Sequence, residues 1–470
     1  MNKEIFTTET QRHGEKNNQK HFWRDFDFSA VLLKISVSLC LCGLFFLNAF
    51  AQNDGSQQNV VGKAGAFAIA NARIVTVSGA TIENGTILIQ DGRIAAIGAN
   101  VSVPAGAERI DGRGLSVYPG MIDAATNLGL AEIPLGANAT VDVAETGDMN
   151  ANAKAITGIN PHSSHVNVTR VNGITTVLSM PVGGTIAGQT AVINLWGSTQ
   201  GEMAVVPSFG LLVNFPRLTT FAGFGQPQVE FSQAVTQRER RLDDLRKAFR
   251  DAENYARVKD AYAKDKTLPY PGVNLKMDAM IPFIRGERPV LFRAERERDI
   301  RAIARFVEEM KIKGIIVGGQ EAWKAADLLI KNNIPVIYTN IYNLPVRDDD
   351  DYDYLFEAPS KLQKAGVKFA VSTGNDGAEV RDLPYQAGLA AAYGLSREEA
   401  LKSVTLYPAQ ILGIADRLGS LEQGKIANIV VADGDLLEPR TNVRYLFING
   451  RMLPLTSRHT ELYEQFKDRK

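Results

Sequence analysis

PVLFRAERERDIRAIARFVEEMKIKGIIVGGQEAWKAADLLIKNNIPVIYT, Pro289 to Thr339, holds three short apolar runs separated by two longer mixed stretches. The runs PVLFRA (289–294), GIIVGG (314–319) and IPVIYT (334–339) are nearly continuous in apolar residues, as strands covered on both faces must be. Asp299 to Met310 and Glu321 to Lys331 read as helices between them. Strand, helix, strand, helix, strand predicts parallel β-structure, because parallel neighbours need a crossover to connect them. GITTVLSM (173–180) upstream and VKFAVST (367–373) downstream extend the pattern. At this length it predicts an α/β fold with a (β/α)8 barrel. Gln233 to Lys266 is a long, highly charged stretch, read as a solvated helical insertion, and Ser396-Arg397-Glu398-Glu399 matches a helix capping box.

Outside the barrel the pattern is different. From Phe67 the chain alternates in short apolar runs, with Asp91-Gly92 between GTILIQ and RIAAIG. The same texture returns in NIVVAD and VRYLFINGRML, with Asn449-Gly450 inside the second. Asp-Gly and Asn-Gly between such runs are hairpin turns. Two β segments flanking a long middle predict one small β-sandwich built from both ends, with the barrel inserted. The expected layout is a signal peptide at 1–51, a linker at 52–65, sandwich at 66–115, barrel at 116–415 with its insertion near 233–266, sandwich again at 416–456, and a C-terminal tail at 457–470.

The leader is argued from composition. A charged segment precedes the apolar run Ile35 to Leu47, and Ala49-Phe50-Ala51 follows it. These are the three parts of a secretory signal, with cleavage before Gln52. The run is shorter than the ~20 residues a spanning helix needs, which disfavours the alternative of a membrane anchor. Export to the periplasm or the extracellular space follows. Cys40 and Cys42 both lie in the run and are the only cysteines. The mature chain therefore has no disulfide, no thiol nucleophile and no cysteine metal site. Lys plus Arg and Asp plus Glu each number 52, so no basic excess points to nucleic acid.

Several segments resemble the amidohydrolase superfamily, in the imidazolonepropionase-like group of exported proteins. They are NARIVTVSGATIENGTILIQDGRIAAIG with LSVYPGMIDA, then NGITTVLSMPVGGTIAGQTAVINLWG, and LPYQAGLAAAYGLSREEALKSVTLYPAQILGIADRLGSLEQGKIANIVVADGDLL. The resemblance implies hydrolysis of non-peptide C–N bonds by metal-activated water. It also implies ligands: two histidines spaced H-x-H on the first barrel strand, then a lysine, two further histidines and an aspartate. Residues i and i+2 of a strand share a face, so both imidazoles of H-x-H enter the barrel.

Carried onto this chain, the H-x-H positions fall on Ala125 and Asn127, the later histidines on Arg293 and Gly318, and the aspartate on Gly374, or on Asp376 if the loop is two residues longer. No lysine position can be assigned. Ala and Gly supply no donor, Asn is a weak neutral ligand, and Arg repels a cation. Of the five histidines, His13 and His21 precede the apolar run and His459 lies in the tail, which leaves His162 and His165. These precede a strand rather than end one, and read as a helix start or surface turn. The expectation is a degenerate site, metal: none, with no cofactor; zinc or another divalent metal would be bound only if the ligand assignment is wrong.

Asp376 then has two readings: a surviving catalytic aspartate, or a turn former in Gly374-Asn375-Asp376-Gly377. Arg293 and Asn127 are the candidate ligand-binding residues, Arg293 by capture of a carboxylate, with an internal ion pair as its other reading. Asp123 is expected to pair with backbone or with Arg293. Pro181-Val182-Gly183-Gly184 is expected to border the pocket. No G-x-S-x-G elbow is present. The function expected is a binding or scaffold pseudoenzyme for a small-molecule or peptide ligand, as a homo-oligomer or in complex with an active amidohydrolase relative. The alternative is an active metal-dependent amidohydrolase or dipeptidase-like hydrolase with an atypical site.

Overall fold

Asp91-Gly92 and Asn449-Gly450 close the two hairpins expected of them. All four residues have positive φ, at +51°, +77°, +52° and +71°, which is the geometry of the type I′ turn that matches strand twist. They belong to a computed structural model that describes residues 61–133, 138–220, 228–345, 349–374 and 377–469. The signal peptide, most of the linker and Asp376 lie outside the described residues. Among those described, no helix is long and apolar enough to cross a membrane.

The chain begins with β1 (Phe67–Ile74), β2 (Ile82–Gln90) and β3 (Arg93–Gly98), paired antiparallel in sequence. β4 (Glu108–Asp111) and β5 (Ser116–Pro119) then run parallel to β1. One residue later the barrel begins.

Its first staves are β6 (Met121–Thr126) and β7 (Ile174–Ser179), which are parallel. Next come β8 (Ile186–Gln189), β9 (Ala191–Asn194) and the short β10 (Ala204–Val206). β11 (Leu211–Asn214), β12 (Val290–Ala294), β13 (Gly314–Gly318), β14 (Val336–Tyr338) and β15 (Phe369–Val371) follow, each parallel to the last. β8 and β9 are one segment bent at Thr190. β9 pairs antiparallel with β7, and β8 antiparallel with β11. β15 and β6 lie at the two ends of this run and do not pair as strands; Gly374, three residues past β15, donates its N–H to Ala125 O of β6 at 3.0 Å.

Eight positions thus surround the axis, and one departs from the expected (β/α)8 repeat because it is antiparallel. The reason is the loop Pro181 to Thr185. It is too short for a helical crossover, so the next stave must reverse. Gly183 and Gly184 make the turn, with φ of +82° and +65°.

Alternation sorts the side chains of the staves. Leu178, Leu212, Leu291, Ile315 and Ile337 form the barrel's own core. Phe292, Ile316 and Val336 face outward and pack with Ile300, Ile303 and Val307 of the helix Glu297–Met310. The insertion is the 34-residue helix Phe231–Lys264. It is not simply solvated, as the sequence suggested. Leu242, Leu245, Phe249, Ala252 and Ala256 recur at three- and four-residue spacing and are buried. Phe249 meets Phe306 edge-on, ring centroids 5.3 Å apart.

β16 (Ile429–Ala432), β17 (Val443–Ile448) and β18 (Arg451–Leu453) then return to the first sheet. β16 pairs antiparallel with β5, giving the order β18-β17-β16-β5-β1-β2-β3 with β4 beside β1. The expected two-ended domain is therefore one hydrogen-bonded sheet. It curls so that Ile94 N reaches Lys425 O and Ala427 N reaches Gly92 O, each at 2.9 Å. Phe67, Ile69, Ile87, Ile429 and Phe447 fill its concave side.

Candidate functional site

The C-terminal ends of the parallel staves surround a cavity of about 1370 Å3, the face at which such barrels keep their sites. β12 supplies its centre. Leu291 is in the barrel core, so the same alternation carries Arg293 and Glu295 up to the mouth. Arg217 comes from the segment after β11, Gln320 and Glu321 from after β13, Asn340 from after β14, and Arg241 from the inserted helix. Gly184 borders the cavity, as expected of its turn.

The charges divide into held and unheld. Asp299 is paired with Arg238 at 3.2 Å, Glu297 with Arg301 at 2.7 Å, and Glu321 with Lys324 at 3.3 Å. Asp148 accepts from Thr185 N and Oγ1, both at 2.8 Å. Arg217, Arg241 and Arg293 form no ion pair or hydrogen bond among the described residues. Burial holds the Arg293 guanidinium below its usual pKa, partly restored by Glu295. Burial pushes Glu295 up to about 7, opposed by Gln320 N and by Arg293, Arg296 and Arg217.

Each position that the resemblance assigned to a metal ligand has another use. Ala125 is fully buried, and its carbonyl accepts from Gly374 N and Ser372 Oγ across the barrel seam. A methyl group on Gly318 would lie 2.4 Å from Glu295 Oε1, so Glu295 fills the space a β13 side chain would need. One on Gly374 would lie 2.5 Å from Thr339 Cβ. Arg293 presents a cation. Asn127 Oδ1 is buried without a hydrogen-bond partner among the described residues, and the cavity's described lining includes Arg293 but not Asn127. This donor set does not fit a divalent ion. Among the described residues no three His, Cys, Asp or Glu side chains gather as a ligand group.

His162 and His165 flank the start of the helix Ser164–Arg170, whose N-cap is Ser163. His165 Nε2 lies 2.9 Å from the Glu132 carbonyl. Asp123 does not reach Arg293, contrary to one expectation. Its carboxylate takes hydrogen bonds from Ala125 N, Ser372 Oγ, and Thr373 N and Oγ1. It therefore ties β6 to the end of β15. Burial, working against those bonds, pushes it up to about 6.

Sequence reasoning missed Glu295, Arg217 and Arg241. For Glu295 the signal was present: it stands two residues after Arg293, on the same strand face. The arginines come from a loop and an inserted helix, which no local pattern aims at the mouth.

Comparison with known proteins bears on the family and the fold. Residues 356–453 match the amidohydrolase family. The chain is 25% identical over 387 residues to the amidohydrolase tasK of Hapsidospora irregularis, a match that spans 75% of this chain and 38% of that protein's length. It is 25% identical over 434 residues to a dihydroorotase of Pelotomaculum thermopropionicum, spanning 83% of this chain and 94% of the other. The crystal structure of an amidohydrolase from Thermotoga maritima superposes with a TM-score of 0.73 at 26% identity, covering 83% of this chain and 99% of that one.

Proposed function

The chain belongs to the amidohydrolase superfamily, and from that premise we propose that it is an exported binding protein on a hydrolase barrel, without the metal chemistry of its relatives. The observation that carries the reading is Arg293. It stands where the resemblance places a ligand histidine, faces a large cavity, and forms no ion pair or hydrogen bond among the described residues, the acid acting on it being Glu295 at longer range. A guanidinium so placed favours an anionic group on a ligand, by charge-assisted and bidentate hydrogen bonding. It disfavours a divalent cation for the same electrostatic reason. Without a bound metal, water in the mouth keeps its ordinary high pKa rather than the near-neutral one a metal confers.

An active metal-dependent hydrolase would need donors at Ala125 and Gly318, which have none. Export rests on the leader pattern of residues 1–51. A binding role also suits assembly with a catalytically intact relative or with further copies of the chain.

The test uses purified mature protein. After incubation with zinc and dialysis, metal analysis is expected to find far less than one ion per chain. Glutarate, a simple dicarboxylate, is expected to bind, and Arg293→Gln to weaken it. One zinc per chain, with amide cleavage abolished by a chelator, overturns the reading.

A further inference from the structure

Resting on the anion-binding reading, the unheld charges at the mouth narrow the ligand class. The other acids of the lining are already held, as described above. Glu295 is not. Its carboxylate takes one hydrogen bond, from Gln320 N at 3.3 Å, and makes no ion pair among the described residues. A carboxylate offers about four acceptor sites, so the described residues leave most of its capacity unused. The same lining carries the three cations that make no ion pair, Arg217, Arg241 and Arg293, of which Arg293 and Arg217 act on Glu295 through their charge alone.

A purely anionic ligand answers only half of this pattern. It would satisfy the arginines and leave Glu295 partly buried beside a like charge. A ligand that also brings an ammonium satisfies both sides. The cavity, at about 1370 Å3, exceeds the usual ~300–1,000 Å3 of small-ligand sites, which argues for more than a single amino acid. Gln320 and Asn340 add neutral donors and acceptors suited to a peptide bond.

We propose that the mouth binds a short acidic peptide with a free α-amino group, its carboxylates on Arg293, Arg217 and Arg241 and its ammonium on Glu295. Both contacts are charge-assisted hydrogen bonds in a partly water-excluded site, where they are strongest. The raised pKa of Glu295 fits such a role, since an arriving ammonium would hold it ionised.

Isothermal titration of the mature protein with L-glutamyl-L-glutamate, its N-acetyl form and glutarate tests this. The free-amine peptide is expected to bind about tenfold or more tightly than the N-acetyl peptide. Glu295→Gln should erase that preference, while Arg293→Gln and Arg217→Gln should weaken both peptides alike. Equal affinity of the two peptides for the wild type, or a preference that survives Glu295→Gln, overturns the ammonium assignment and leaves anion binding standing. Failure of all three probes to bind at millimolar concentration overturns both. Melting curves establish that each variant is folded. Should Glu295→Gln not fold, the comparison of the two peptides on the wild type decides alone.

Discussion

Asp123→Asn isolates the electrostatics of the barrel seam. The Asp123 side chain is fully buried, and its pKa rises from the ordinary 3.8 to about 6. The folded protein thus holds the proton more tightly than the unfolded chain. The stability this group contributes is fully present below pH 3.8 and is lost as pH rises through 6. At 1.36 kcal/mol for each unit of pKa difference, the whole loss is about 3 kcal/mol. Between pH 5 and pH 8, where the rest of the fold should survive, about 1.4 kcal/mol of it is expected to appear. Asparagine does not titrate, so urea unfolding of wild type and Asp123→Asn across this window should give diverging curves. The variant gains on the wild type by about 1.4 kcal/mol as pH rises. Ser372→Ala should steepen the dependence, because it removes a hydrogen bond that favours the ionised form. Parallel curves would refute the reasoning. They would mean that the hydrogen bonds from Ser372 and Thr373 outweigh burial, so that both states are ionised throughout this window.

Three further outcomes follow from the same structure. Gly318→Ala places a methyl group 2.4 Å from the Glu295 carboxylate on a residue with φ of +107°, and should cost about 1–3 kcal/mol, read as a lowered melting temperature; an unchanged melt would mean that Glu295 moves freely. Arg293→Gln removes a charge that favours ionised Glu295, so the Glu295 carboxyl resonance should titrate at higher pH than in the wild type. Phe249→Ala empties the contact between the inserted helix and Phe306 and should cost about 3–5 kcal/mol, with faster proteolysis confined to the segment Phe231–Lys264.

What could be read from the sequence follows the range of the interaction that decides each feature. The three staves between Pro289 and Thr339 are set by local apolar runs, and both Asn/Asp-Gly hairpins by two residues each. All were legible. The antiparallel stave depends on how few residues join β7 to β8, and on which neighbours that segment then meets. Its own sequence, IAGQTAVIN, reads as a strand of either direction. The buried face of the inserted helix was legible in principle, at Leu242, Leu245, Phe249, Ala252 and Ala256. Its heavy charge hid the stripe. The partner of Asp123 was not legible, because Ser372 lies 249 positions away and only closure of the barrel brings the two together. Glu295 was lost for a simpler reason: RAERERD looks like a charged helix approach, although the strand's alternation continues through it.

On the proposed reading of positions 125, 318 and 374 as former ligand positions, their packing bears on what a single reversal would do. Histidine at position 318 would have to displace Glu295, whose carboxylate occupies that space, and would still face the Arg293 cation. Histidine at 125 would need room that Ala125 has given up to the fully buried seam, where its carbonyl already accepts two hydrogen bonds. An aspartate at 374 would meet Thr339. Each reversal alone carries a packing cost and no metal affinity, since a stable site needs at least three ligands together. Single changes toward the hydrolase pattern are therefore destabilising before they can be useful. The mouth is held in its arginine-rich form by packing as much as by charge.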